Sequence, residues 1–233
     1  MRVAIHQPHY LPYPGYIHKL MNSDTFVFLD TCDMKRSTGK ENHENRNRIK
    51  TPNGVKWLTA PIGQEKKSGC RFVDAHVIYD GWRESHRRKI EAAYRDAPFH
   101  DETMKFLRTL WQNEHTTMAM LGKACVFYLS YLLDMDPYFT SSSAMDLDPD
   151  MKGTESLVEI CRQLGATEYI SGQGAQGYLK TELFEKAGIE VVWQEYEPIV
   201  YQQMHGDFEP NLSIIDAMFN IGVKQTAIAI KGA

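Results

Sequence analysis

Near its start the chain reads Val3-Ala4-Ile5, then His6-Gln7-Pro8-His9-Tyr10-Leu11-Pro12-Tyr13-Pro14-Gly15, and soon after Thr25-Phe26-Val27-Phe28-Leu29-Asp30. The first and last runs are short and apolar, as buried strands are. The stretch between them carries Pro8, Pro12 and Pro14, which stiffen it and remove backbone donors. Tyr16, Ile17, Leu20 and Met21 then recur at helical spacing, with Pro14 suited to the first turn. Strand, loop, helix, strand predicts a right-handed parallel crossover.

Outward from that unit, the spacing predicts strands at Trp57–Ile62 and Phe72–Ile78, either side of a glycine-containing loop. Residues 82–134 read as helical, and Met118–Leu133 is apolar nearly all round, as a buried helix is. A strand at Tyr138–Ser142 follows. Alternation then resumes with a helix over 154–164, a strand at Tyr169–Ser171, a helix over 174–187 and a strand at Ile189–Trp193. Asn211 is placed to cap a last helix, Leu212–Asn220, with Gly222 just beyond it. The expected architecture is one α/β domain over 1–233. It has a mainly parallel sheet, flanking helices and a helical insertion at roughly 82–135.

Composition narrows the function classes. The 233 residues are 42% hydrophobic and 24% charged, an ordinary globular balance. No apolar run approaches the ~18 residues of a membrane span. A formal charge of −4 argues against reading duplex DNA. Cys32, Cys70, Cys125 and Cys161 form no CxxC pair, so no metal site is expected. Their scatter suits a reducing compartment, and no secretory signal pattern precedes Val3, so the expectation is cytoplasmic.

Ligands of open parallel sheets bind beyond the carboxyl ends of strands. Three unusual segments fall there. The first is the proline loop, which offers His6, Gln7, His9 and Tyr10; His6 is suited to acid–base work. Its plain alternative is a stiff connection. The second is residues 35–50, within a polar stretch over 31–54 that reads as loop, with six basic side chains (Lys35, Arg36, Lys40, Arg46, Arg48, Lys50) against Glu41 and Glu44. Its end, Asn45-Arg46-Asn47-Arg48-Ile49-Lys50, suits phosphate or carboxylate, though charge runs are commonly solvated. Arg46, between two asparagines, is expected to face the ligand and Arg36 to be solvated. The third is Ser171-Gly172-Gln173-Gly174-Ala175-Gln176-Gly177, where backbone N–H groups could meet an anion, or which is merely a tight turn. Arg83, His86, Arg87, Arg88 and Lys89 crowd one helix start, which mildly favours an anion contact. Cys32, close after Asp30, could be a nucleophile but is more simply read as packed.

Together these segments resemble the WbqC-like protein family. The matching stretches are Ile5–Pro12 with Gly15-Tyr16 and Lys19, Asp24–Asp30, Asn45–Lys50, and Trp57-Leu58-Thr59 with Pro61. Further matches are Trp82, His86, Tyr94 and Ala97-Pro98, then Tyr169–Gly172 with Gly174-Ala175 and Tyr178-Leu179, and finally Leu212-Ser213, Asp216 and Phe219-Asn220. His9 stands where the family more often has asparagine, and the spacer from Lys35 to Asn45 is longer than usual. The resemblance implies a role in O-antigen or other surface-polysaccharide biosynthesis, with a transferase or ligase step on an activated sugar or small amine. Separately, the opening unit is similar to that of nucleotidylyltransferase-like synthetases, by fold analogy and without their HxGH signature.

The leading expectation is a transferase forming an acyl or aminoacyl linkage on a nucleotide-linked amino sugar. His6 would be the general base. Gln7, Tyr10 and Asp30 would orient the substrate, with Asp30 beside His6 in the catalytic set. Arg46, Lys50 and the Gly172 turn would hold phosphate or carboxylate, with Lys19, Asn45, Asn47, His86, Ser171 and Gly174 as further binding residues. The acyl donor could be carrier-bound. One alternative is an ATP- and magnesium-using synthetase in which His6 and Lys19 stabilise the phosphate being cleaved. Another is a non-catalytic binding module. The leading expectation requires His6, Tyr10, Asp30, Arg46 and the Gly172 turn to line one cleft.

Overall fold

The computed structural model describes residues 1–34, 43–63, 69–78 and 81–233. Its centre is a five-stranded, all-parallel sheet of β1 (Arg2–His6), β2 (Thr25–Phe28), β5 (Tyr138–Ser141), β6 (Glu168–Ser171) and β7 (Glu190–Trp193), in the order β5-β2-β1-β6-β7. β3 (Arg46–Thr51) and β4 (Gly54–Thr59) form a separate antiparallel hairpin. The opening crossover is as expected: α1 (Pro14–Met21) joins β1 to β2, with Pro14 in its first turn.

β1 shows why the sheet is buried on both faces. Ala4 points into the larger core, while Val3 and Ile5 point into the smaller one. Alternate side chains of a strand face opposite ways, so an unbroken apolar run needs a cover on each side. α1 and α7 (Ile214–Lys231) cover one face. α5 (Thr154–Gln163) and α6 (Thr181–Lys186) cover the other with Ile160, Cys161 and Phe184. The insertion between β4 and β5 supplies α2 (Trp82–Tyr94), α3 (His100–Gln112) and α4 (Met118–Leu132), all packed into the larger core.

Strand connectivity places the ligand edge. From β1 the chain moves outward through β2 to β5, then returns to β6 on the other side of β1. The crevice between the carboxyl ends of β1 and β6 is therefore the switch point, where the flanking loops diverge and leave a gap.

Four local expectations are corrected. Phe72–Ile78 is not a strand, because Asp74 and Ala75 both donate to the Arg71 carbonyl and turn the backbone. Only single bridges form there, Asp33 to Arg71, Ile62 to Val77 and His76 to Thr117. Residues 46–51, expected as loop, are strand β3. The helix expected over 174–187 is a short 3-10 turn, Gln173–Ala175, followed by α6. The last helix does not stop at Asn220. α7 continues through a kink at Gly222 (φ 78°), where the Phe99 ring fills the space of a Cβ, because Val223 and Ile230 still bury apolar surface. Its cap residue is Ser213 rather than Asn211.

Candidate functional site

At the switch point lies a cleft of about 430 Å³. The end of β1 brings His6 and Gln7, α1 brings Gly15, Tyr16 and Lys19, and the end of β6 brings Ser171, Gly172 and Gly174. Three rings pack together at its wall. His6 lies 4.7 Å from His9 and 4.5 Å from Tyr16, centroid to centroid. The Tyr16 hydroxyl donates to the Gln7 carbonyl at 3.0 Å and holds the loop against α1.

Lys19 is the buried cation of this cleft. It is 5% exposed, and its ammonium donates to the Ile5 carbonyl at 2.9 Å. No ion pair among the described residues includes it. Burial pushes its pKa down to about 8. A desolvated ammonium without a counter-ion is costly, and an anionic ligand would relieve that cost.

The glycine turn faces the same space. Gly172 has φ −70°, an ordinary value, and a Cβ added at Gly172 or Gly174 would meet nothing within 4 Å. Neither the backbone nor the packing demands glycine there. The N–H groups of Gln173 and Gly174 have no acceptor among the described residues. Gln194, just past β7, ties the cleft together: its amide donates to the Gly15 carbonyl at 2.8 Å and meets His18 Nδ1 at 3.1 Å.

The model of the WbqC-like protein family matches residues 7–228. The chain belongs to the WbqC-like protein family. An uncharacterized protein of Mycobacterium tuberculosis, Rv1507c, is 32% identical over 225 residues, covering 96% of this chain and 95% of the relative. No solved structure matches.

This WbqC-like chain thus brings together His6, Gln7, Lys19, Ser171, Gly172 and Gly174, and the expectation of one cleft fails for the others. Tyr10 is fully buried; its hydroxyl meets His86 Nδ1 at 3.1 Å and accepts from Trp111 Nε1 at 3.1 Å. His86 is 2% exposed, and burial pushes its pKa down to about 4, so it is neutral at pH 7. This trio fastens α2 and α3 to the proline loop. Lys50 is taken up by the Gln203 side chain and the carbonyls of Gly206 and Asp207. Asn45 donates to the Ala60 carbonyl and Asn47 to that of Leu11. Arg46 lies 4.3 Å over the Trp57 ring and is not among the residues that line the cleft. Lys35, Arg36, Lys40 and Glu41 lie outside the described residues.

Asp30 is enclosed. One carboxylate oxygen accepts from the Ser142 hydroxyl and Ser143 N–H, the other from the Ser143 hydroxyl and the Lys123 ammonium. Burial raises its pKa, but these donors outweigh it and the net shift is downward. It holds β2 to the segment after β5. Arg83 donates to the Trp111 and Asn113 carbonyls, and Arg87 pairs with Glu84, which accounts for part of the basic helix start. Burial raises the Cys32 thiol to about 12, so it is no thiolate at neutral pH. Among the described residues, no group of three or more His, Cys, Asp or Glu could hold a metal, and no helix is long and apolar enough to cross a membrane.

Sequence reading missed Gln194, Tyr178, Leu157, His43 and Glu44 as cleft residues. Tyr178 and Gln194 had a positional signal, since each follows shortly after a strand of the parallel sheet. Leu157 had none, being an ordinary apolar residue of a helix.

Proposed function

We propose that this protein is a group-transfer enzyme whose first substrate carries a phosphate or diphosphate bound at the switch-point cleft. In its finer form the reading is acyl or aminoacyl transfer onto a nucleotide-linked amino sugar of surface-polysaccharide biosynthesis. The observation that carries it is Lys19, a buried ammonium with no ion-pair partner among the described residues, on a cleft that the Gly172 turn also lines. An ammonium and backbone N–H groups both suit a phosphate oxygen. The phosphate-holding part expected of Arg46 and Lys50 therefore passes to Lys19 and the Gly172 turn. His6, on the same cleft, is the general base that takes the proton from the attacking amine.

A second reading, an ATP- and magnesium-dependent synthetase, is favoured by the presence of His6 and Lys19 on one cleft. Dependence of turnover on ATP and magnesium separates the two. Calorimetric titration of the full chain with uridine diphosphate and with uridine tests the shared premise. The diphosphate should bind and uridine should not. Lys19→Met should weaken the diphosphate about tenfold or more, because a charge-assisted contact contributes about 1.5–3 kcal/mol. Gly174→Ala should weaken it too while leaving thermal stability unchanged or slightly higher. Equal binding by both variants and the parent would reject the site.

A further inference from the structure

The sheet carries a second recess at the same edge, of about 880 Å³, lined from the residues just beyond β2 and β5 and from the start of α5. Gln7, Leu29, Leu157 and Tyr178 line both recesses, so the two are lobes of one cleft. Their chemistry differs. Charged side chains of opposite sign balance in both, Lys19 against Glu44 in the first and Arg71, Lys152 and Lys180 against Asp33, Asp148 and Glu155 in the second, and the difference lies in the apolar surface. Its half-buried Leu29, Met145, Leu147, Met151 and Leu157 give it an apolar wall. Such a wall, set among the polar and charged side chains that make up the rest of the lining, gives an apolar chain a surface to lie on. At the boundary sits the Gln7 side-chain amide, half-buried, with no hydrogen bond among the described residues.

We propose that the second lobe binds the acyl donor, an apolar acyl chain carried as a thioester, and that the Gln7 amide holds the donor carbonyl at the boundary between the lobes. The proposal rests on reading the first lobe as the phosphate site. The amine nitrogen of the substrate in that lobe attacks the donor carbonyl carbon. A C–N bond forms and the C–S bond breaks. The amine proton passes to His6 and from there to the departing thiolate, so no oxidant or reductant is required.

The test uses N-acetylcysteamine thioesters of acetyl, butanoyl and hexanoyl groups, titrated into the full chain and followed by NMR, with uridine diphosphate as the control ligand. Affinity should rise with chain length, by up to about fourfold per methylene. Ser156 and Leu147 line only the second lobe. Ser156→Trp and Leu147→Asp, each checked for folding by circular dichroism, should weaken the hexanoyl thioester tenfold or more and leave the diphosphate within twofold. Thioesters that do not bind, that bind regardless of chain length, or that bind both variants as they bind the parent would overturn the proposal. Thioester binding of the expected pattern without diphosphate binding would reject the phosphate reading and leave the acyl lobe standing.

Discussion

Lys19 shows how one residue can carry a site. Its neighbours are the Ile5 carbonyl and the face of Tyr169, 5.9 Å away. Neither replaces the hydration a free ammonium has, so its pKa falls to about 8 by burial. The charged form is the one that holds a phosphate, so phosphate affinity should fall as pH rises through about 8. Stability moves the other way. Between about 8 and the ordinary 10.5 the unfolded chain keeps this proton and the folded chain does not, so the contribution of Lys19 to stability grows with pH across that window. Melting temperatures of the parent and Lys19→Met across pH 7 to 10.5 isolate the effect. The parent should gain on the variant as pH rises, and parallel curves would mean Lys19 is not desolvated.

Among the elements, α4 sets the position of the proline loop. A Cβ at Gly122 would lie 2.7 Å from Pro8 Cβ, 2.8 Å from Pro8 C and 3.1 Å from His9 N. Two of these are backbone atoms and cannot swing aside. Gly122→Ala adds helix propensity worth about 1 kcal/mol, yet it should destabilise by about 1–3 kcal/mol overall, because a backbone must shift. Urea unfolding measures this, and a stabilised variant would show the contact to be loose. The hairpin β3–β4 contrasts with α4. Its Asn47 and, from the start of α7, Ser213 both donate to the Leu11 carbonyl, pinning a residue at φ 49°. A non-glycine residue persists in that region only when its surroundings hold it.

On the scale of the molecule, the strand order gathers the cleft from segments far apart in the chain. A bound nucleoside diphosphate should slow amide hydrogen exchange at the end of β1, the first turn of α1 and the Gly172 turn together, and leave β3–β4 unchanged. Protection confined to the hairpin would return Arg46 to the candidate site. Without ligand, β1 should exchange most slowly, since it lies between β2 and β6 and beneath both cores, while edge strands β5 and β7 open first.

The sequence by itself determined the parallel crossover of β1, α1 and β2, the return of α/β alternation at β6, and the polar character of the loop after β1. These are local signals: run length, apolar periodicity and a proline at a helix start. It also marked His6, Gln7 and the Gly172 turn, because residues at the carboxyl ends of parallel strands share an edge whatever the strand order; Lys19, on α1, was marked through the family resemblance. Only the tertiary structure decided which polar residues remain available to a ligand. Lys50, Asp30 and His86 carry the same chemistry as binding residues, but Gln203, Lys123 and Tyr10 occupy them. A residue type states what a side chain can bind. Which partner reaches it depends on contacts between distant segments, and those exist only once the sheet and its helices have packed.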